Sequence, residues 1–150
     1  MTMAGGYYGL TLEKQLIDSL GKSIESETDI KIMLVQDAYT PNFDTHDFRN
    51  DVTNEPGNSG TYAAGGSVIT TTEITVASPA ATQEKYTSDN TSWTGTTITA
   101  RGTVLYVGRG GASSADEVIC ANTFGSDVST AGGTFTVQVP TNGYFYIDYA

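Results

Sequence analysis

His46 is the sole histidine of the chain and stands among acids at positions 44, 47 and 51. An imidazole beside carboxylates is the raw material of an acid–base relay or of a cation site. A Ser-His-Asp triad would have to use it, yet no G-x-S-x-G elbow or other activated-serine setting occurs in the sequence. A cation held by Asp44, His46, Asp47 and Asp51 would be an oxygen-preferring one, but the run lacks the alternating Asp/Asn, central Gly and terminal Glu of an EF-hand loop. The expectation is instead that these side chains cap turns and bond to backbone, pinning a long loop. No catalytic, cofactor-binding or metal-ligating residue is assigned.

Three other groups invite the same question. Gly108-Arg109-Gly110-Gly111-Ala112 is glycine-rich but matches neither G-x-x-x-x-G-K-[ST] nor G-x-G-x-x-G, and no helical stripe follows it to supply a dipole. A hairpin tip is expected there. Cys120 lies in the apolar run Val118-Ile119-Cys120-Ala121 with no base beside it, so a buried small hydrophobe is expected rather than a thiolate. Paired carboxylates for glycoside hydrolysis cannot be picked from 17 acids by spacing alone.

The rings carry more promise. Tyr7, Tyr8, Tyr39, Tyr62, Trp93, Tyr144 and Tyr146 are amphipathic, suited to a protein interface or a carbohydrate platform, and are the candidate partner contacts. In the C-terminal run Tyr144, Tyr146 and Asp148 share one face of a strand, opposite Phe145, Ile147 and Tyr149; one face is expected in the core and the other at an edge contact.

The frame that must position these residues is a single domain of 150 residues, long enough to bury roughly 70% of its unfolded surface. A net charge of −10 without a basic cluster argues against nucleic acid. The longest apolar stretch, residues 30–35, is interrupted by Lys31 and falls far short of the ~20 residues a membrane span needs. One cysteine excludes an internal disulfide and multi-cysteine metal sites. The first six residues show neither a basic n-region nor an apolar h-region, so no secretory signal is expected and folding is expected to begin in a cytoplasm.

Threonine at 24 positions beside 17 glycines favours pleated strands and tight turns. Leu12, Leu16, Ile17, Leu20 and Ile24 form an amphipathic stripe that predicts one helix within residues 10–24, behind a flexible arm over 1–9. Strands are expected at 30–35, 68–76, 97–107, 117–123, 134–139 and 144–149, with a shorter strand or turn at 85–93 and a bulge or close approach at Gly102. Residues 36–66 form a long loop with a helical turn near 44–52. The fold class expected over 30–149 is mainly β, an antiparallel β-sandwich or open barrel preceded by one short N-terminal α-helix.

Asp29-Ile30-Lys31-Ile32-Met33-Leu34-Val35, then Tyr39-Thr40-Pro41-Asn42, Asp44-Thr45-His46-Asp47-Phe48, Asp51-Val52, Tyr62-Ala63-Ala64-Gly65-Gly66, Trp93 and Ile98-Thr99-Ala100-Arg101 together resemble a group of tailed-bacteriophage virion structural proteins. The resemblance implies a particle component made in the bacterial cytoplasm, with no catalytic residues or cofactor, whose partners are other virion proteins and its own copies. Short length, acidity and the lack of enzymatic motifs point within that group to a capsid decoration (cement) or head-fibre protein. The alternative is a tail or fibre adhesin in which Trp93 and exposed tyrosines stack on host glycan; a hydrolase using His46 is the third reading.

Overall fold

The computed structural model describes Gly6–Tyr7 and residues 29–70, 73–76 and 83–148. The helix predicted within 10–24 lies outside these residues, as does most of the arm. The described strands are β1 (Gly6–Tyr7), β2 (Ile30–Val35), β3 (Ser67–Val68), β4 (Glu73–Val76), β5 (Gln83–Thr87), β6 (Thr91–Thr96), β7 (Thr99–Val107), β8 (Val118–Ser129), β9 (Gly133–Val137) and β10 (Phe145–Asp148). They pair antiparallel in three sheets, ordered β1-β8-β7-β2-β3, β10-β5-β4 and β6-β9. The chain is mainly β, as its composition predicts, and among the described residues no sheet closes into a barrel.

The period-two geometry of β2 explains its unbroken apolar character. Ile30, Ile32 and Leu34 enter a core shared with Trp93, Phe135 and Val137 of the β6-β9 sheet and with Tyr86 and Tyr144. Met33 and Val35 enter a second core on the opposite face, with Tyr39, Val104, Tyr106, Val118 and Ala121. β2 is therefore buried on both sides, and each Ile or Leu removed from water there contributes roughly 1.5–3 kcal/mol. The second core is closed by the segment 36–66, through Tyr39 and the partly buried Phe43 and Val52.

β8 departs from regular pairing twice. Leu105 faces Cys120 while Tyr106 faces Val118, so Ile119 is an extra residue, and Ile119 and Cys120 both enter the first core. Farther on, Ala100 faces Val128 and Gly102 faces Thr123, leaving residues 124–127 opposite Arg101 alone. The irregularity expected at Gly102 is present, with the additional residues in the partner strand. Arg101 clips it: Nη1 donates to the Gly125 carbonyl at 2.8 Å, and Nε lies 2.9 Å from Asp127 and 3.1 Å from Asp37.

Two sequence boundaries are corrected. The run 68–76 is two strands in different sheets, β3 and β4, and 85–93 spans parts of both β5 and β6. β8 continues six residues past the expected 117–123, through the partly buried Phe124 and the exposed Gly125-Ser126-Asp127-Val128-Ser129, a stretch that carries no alternating apolar signal.

Candidate functional site

Residues 36–66 are ordered, and their acids and histidine are what order them. The Asp51 carboxylate accepts the backbone N–H groups of Asp47 and Phe48, each at 3.0 Å, at the start of a 3₁₀ turn over Arg49–Asp51. Asn42 Oδ1 accepts the Asp44 N–H at 3.1 Å. The Tyr39 hydroxyl and the Asn42 N–H reach His46 Nδ1 at 3.1 and 3.4 Å, and the Tyr39 and His46 rings stack at 5.8 Å. That nitrogen is thereby an acceptor of local hydrogen bonds. Backbone bonds then dock the segment on the start of β8, Arg49 N–H to Asp116 O at 2.8 Å and Val118 N–H to Asp47 O at 3.1 Å. Asp51 makes the side-chain-to-backbone bonds expected of this run, while the helical turn begins after Phe48 and not at Asp44 or Thr45, the caps that the sequence suggests. Among the described residues no group of three or more His, Cys, Asp and Glu is arranged to hold a metal ion.

Beneath the segment runs a buried polar network that local sequence does not announce. Leu34 N–H donates to the Tyr62 hydroxyl at 3.1 Å, Tyr62 donates to Glu55 at 2.7 Å, and Glu55 also accepts the Gly65 N–H. The Gly65 carbonyl accepts the Tyr106 hydroxyl. Arg49 lies 5.3 Å over the Tyr106 ring and its Nε donates to Asp116 at 2.8 Å, while Asp116 also accepts the Arg109 N–H at 2.8 Å. Burial, then the Glu55 hydrogen bond, raises the Tyr62 phenol far above its usual range, and burial pushes Tyr106 up to about 12. Burial alone lowers the Arg49 pKa, but Asp116 and the neighbouring charges outweigh it and leave it raised. Both phenols stay protonated and Arg49 keeps its charge, and the linked hydrogen bonds hold the shape of the segment. Gly66 completes it at φ +67°, where a Cβ would fall on the Ile32 carbonyl, so only glycine brings the segment this close to β2.

The aromatic candidates are placed differently from the sequence expectation. Tyr39, Tyr62, Trp93 and Tyr144 are 0–5% exposed and belong to the cores. Trp93 packs edge-on to Tyr62 at 5.0 Å and its Nε1 donates to Ser67 Oγ at 2.7 Å, which is why so large a polar-edged ring is buried without loss. The Tyr144 and Ser88 hydroxyls share a hydrogen bond at 2.9 Å. None of these four presents a ring to a partner or glycan. Tyr7 and Tyr146 fall in β1 and β10 by their backbones, and Tyr8 lies outside the described residues.

Cys120 is buried, and burial pushes its thiol up to about 12, as befits a small hydrophobe. The 108–112 run joins paired strands β7 and β8 and is tied down by Arg109, whose Nε donates to Glu117 at 3.0 Å. The residues that sequence reasoning missed are Arg49, Glu55, Tyr106 and Asp116. Arg49 and Asp116 are 67 positions apart, and no spacing rule links them.

What remains on the outside is a face of hydroxyls. On the β6-β9 sheet Trp93, Phe135 and Val137 point inward while Ser92, Thr94, Thr134, Thr136 and Gln138 are exposed. Ser92 and Thr136 pair across the strands at 2.8 Å. No charged residue occurs at 90–100 or at 128–147, in a chain of net charge −10. Such a face costs less to desolvate on contact with another protein than a charged one, and charged side chains are those depleted from interface cores. Comparison of the chain with family models, curated proteins and solved structures finds no match.

Proposed function

We infer that this chain is a non-enzymatic structural protein of a tailed-bacteriophage virion, a β-sandwich with a short N-terminal helix that binds the capsid exterior, and its own copies, as a decoration (cement) or head-fibre component. The observation that carries this reading is where the residues resembling the virion group fall. The stretch 30–35 is β2; Tyr39, His46, Asp51, Tyr62 and Gly66 close the second core or its polar network; Trp93 joins the sheets, and Arg101 clips the β8 bulge. The resemblance thus lies in one connected scaffold. His46 and Cys120, the side chains best suited to catalysis, are engaged in holding that scaffold. A scaffold that leaves one face uncharged and lined with hydroxyls suits a protein held by many modest contacts repeated over a lattice.

Cryo-electron microscopy of the particle encoding this chain tests the reading. Density for a 150-residue β domain repeated over the capsid lattice is expected. Density confined to tail or fibres would replace decoration with the adhesin reading, and absence of the chain from purified particles would overturn the virion assignment.

A further inference from the structure

We propose that the outer edge of β9 is a self-association seam, at which β9 of a second copy adds antiparallel about a two-fold axis to make a four-stranded sheet β6-β9-β9-β6. Open strand edges carry unpaired N–H and C=O groups and are ordinarily guarded by shortness, charge, proline, a bulge or a covering segment. Every other edge among the described strands shows such a guard. β1 and β3 are two residues long, and β4 and β10 carry Glu73 and Asp148. β6 is irregular between Trp93 and Thr96 and is covered by Thr61, whose N–H donates to the Thr94 carbonyl at 3.0 Å and whose hydroxyl accepts the Thr94 N–H at 2.8 Å.

Among the described residues β9 has none of these. Gly133-Thr134-Phe135-Thr136-Val137 pairs with β6 on one side, and among the described residues no backbone hydrogen bond occupies its other side. It is five residues long, free of charge and proline, and alternates exposed Thr134 and Thr136 with buried Phe135 and Val137.

The occupant follows from charge. Two copies of net charge −10 repel one another over most approaches, and the repulsion is least where the uncharged stretches 90–100 and 128–147 meet. An antiparallel two-fold pair sets each strand against itself, so any charged residue in it would meet its like; a strand of Thr, Phe and Val meets only β-favouring, uncharged partners. This names the surface for the self-association proposed above and rests on sheet geometry and charge, so its failure would leave capsid binding standing.

Sedimentation equilibrium of the full chain over a range of concentrations tests it, with circular dichroism to confirm folding. Wild type is expected to dimerise reversibly, more tightly as salt screens the repulsion. The exposed double substitutions Thr134→Lys/Thr136→Lys and Thr134→Glu/Thr136→Glu are each expected to weaken the dimer by about tenfold or more while leaving the fold intact. An equimolar mixture of the two is expected to restore a dimer through opposite charges across the seam. A wild type that stays monomeric at the highest concentration, or a dimer unaffected by either substitution, would overturn the proposal; so would tightening by the Lys pair alone, which would assign association to net charge instead.

Discussion

The two covers of the five-stranded sheet use polar side chains in opposite ways. On one face, residues 36–66 bring Arg49, Glu55, Tyr62 and, from β7 and its link to β8, Tyr106 and Asp116 into a partly buried polar network. On the other, the β6-β9 sheet gives the apolar core Trp93, Phe135 and Val137, buries the Thr96 hydroxyl against Thr130 and Gly133, and turns most of its other hydroxyls outward. The first cover is an irregular segment, whose backbone polar groups need partners that no ladder supplies, and side chains provide them. The second is a two-stranded ladder that needs less such help, its one irregularity, between Trp93 and Thr96, being tied by the Thr61 and Thr96 hydroxyls. Its side chains are therefore left to set the character of the surface, and that surface is uncharged.

The comparison can be broken from either side. Trp93→Ala on the ladder cover is expected to have the largest effect, a loss of about 3–5 kcal/mol in urea unfolding, because it empties the junction with Tyr62 and leaves Ser67 without its donor. A Trp93→Ala protein of full stability that had lost only a binding activity would place that ring at a surface and contradict its burial. Asp116→Ala on the network cover is expected to cost about 3 kcal/mol, since Arg49 keeps its charge without a partner and the Arg109 N–H loses its acceptor. A loss below about 0.5 kcal/mol would show that the Asp116 carboxylate does not hold segment 36–66.

Alkaline titration sharpens the contrast. Tyr62, Tyr106, Tyr144 and Cys120 all have pKa values raised by burial, so above the unfolded-state values the unfolded chain binds fewer protons than the folded one. Stability is then fully present below about pH 9 and falls as pH rises toward 12, by up to about 1.4 kcal/mol per pH unit for each group in its window. Denaturant midpoints independent of pH over that range would refute the burial of these groups. The smallest effect is expected from Tyr62→Phe, about 1–2 kcal/mol at neutral pH, by leaving the Leu34 N–H and Glu55 short of a partner. The same variant should show a shallower alkaline fall than wild type.

Much of the ladder was legible in the sequence. The β-branched run Ile30–Val35 and the alternation of Thr134 to Val139 name β2 and β9 because a strand's period is local. The second half of β8 was not legible: Gly125, Ser126 and Asp127 bulge away from the core, and Arg101 and Asp37 hold them from other parts of the chain. The candidate site was misread for a related reason. Tyrosine and tryptophan serve surfaces and cores alike, and only the distant Ser67, Glu55 and Ser88 supply the buried partners that let Trp93, Tyr62 and Tyr144 turn inward. The bonding of Asp51 was foreseeable because its partners lie three and four residues away.

Residue-resolved amide hydrogen exchange, at dilute and at high protein concentration, tests the contrast between the two covers most directly. Leu34, Gln36 and Gly65, whose N–H groups are bonded to Tyr62, Asn54 and Glu55, are predicted to be protected at both concentrations. Within β9, amides on the outer edge are predicted to exchange freely when dilute and to gain protection when concentrated. Rapid exchange across residues 36–66 together with a β9 edge protected at every concentration would contradict the account.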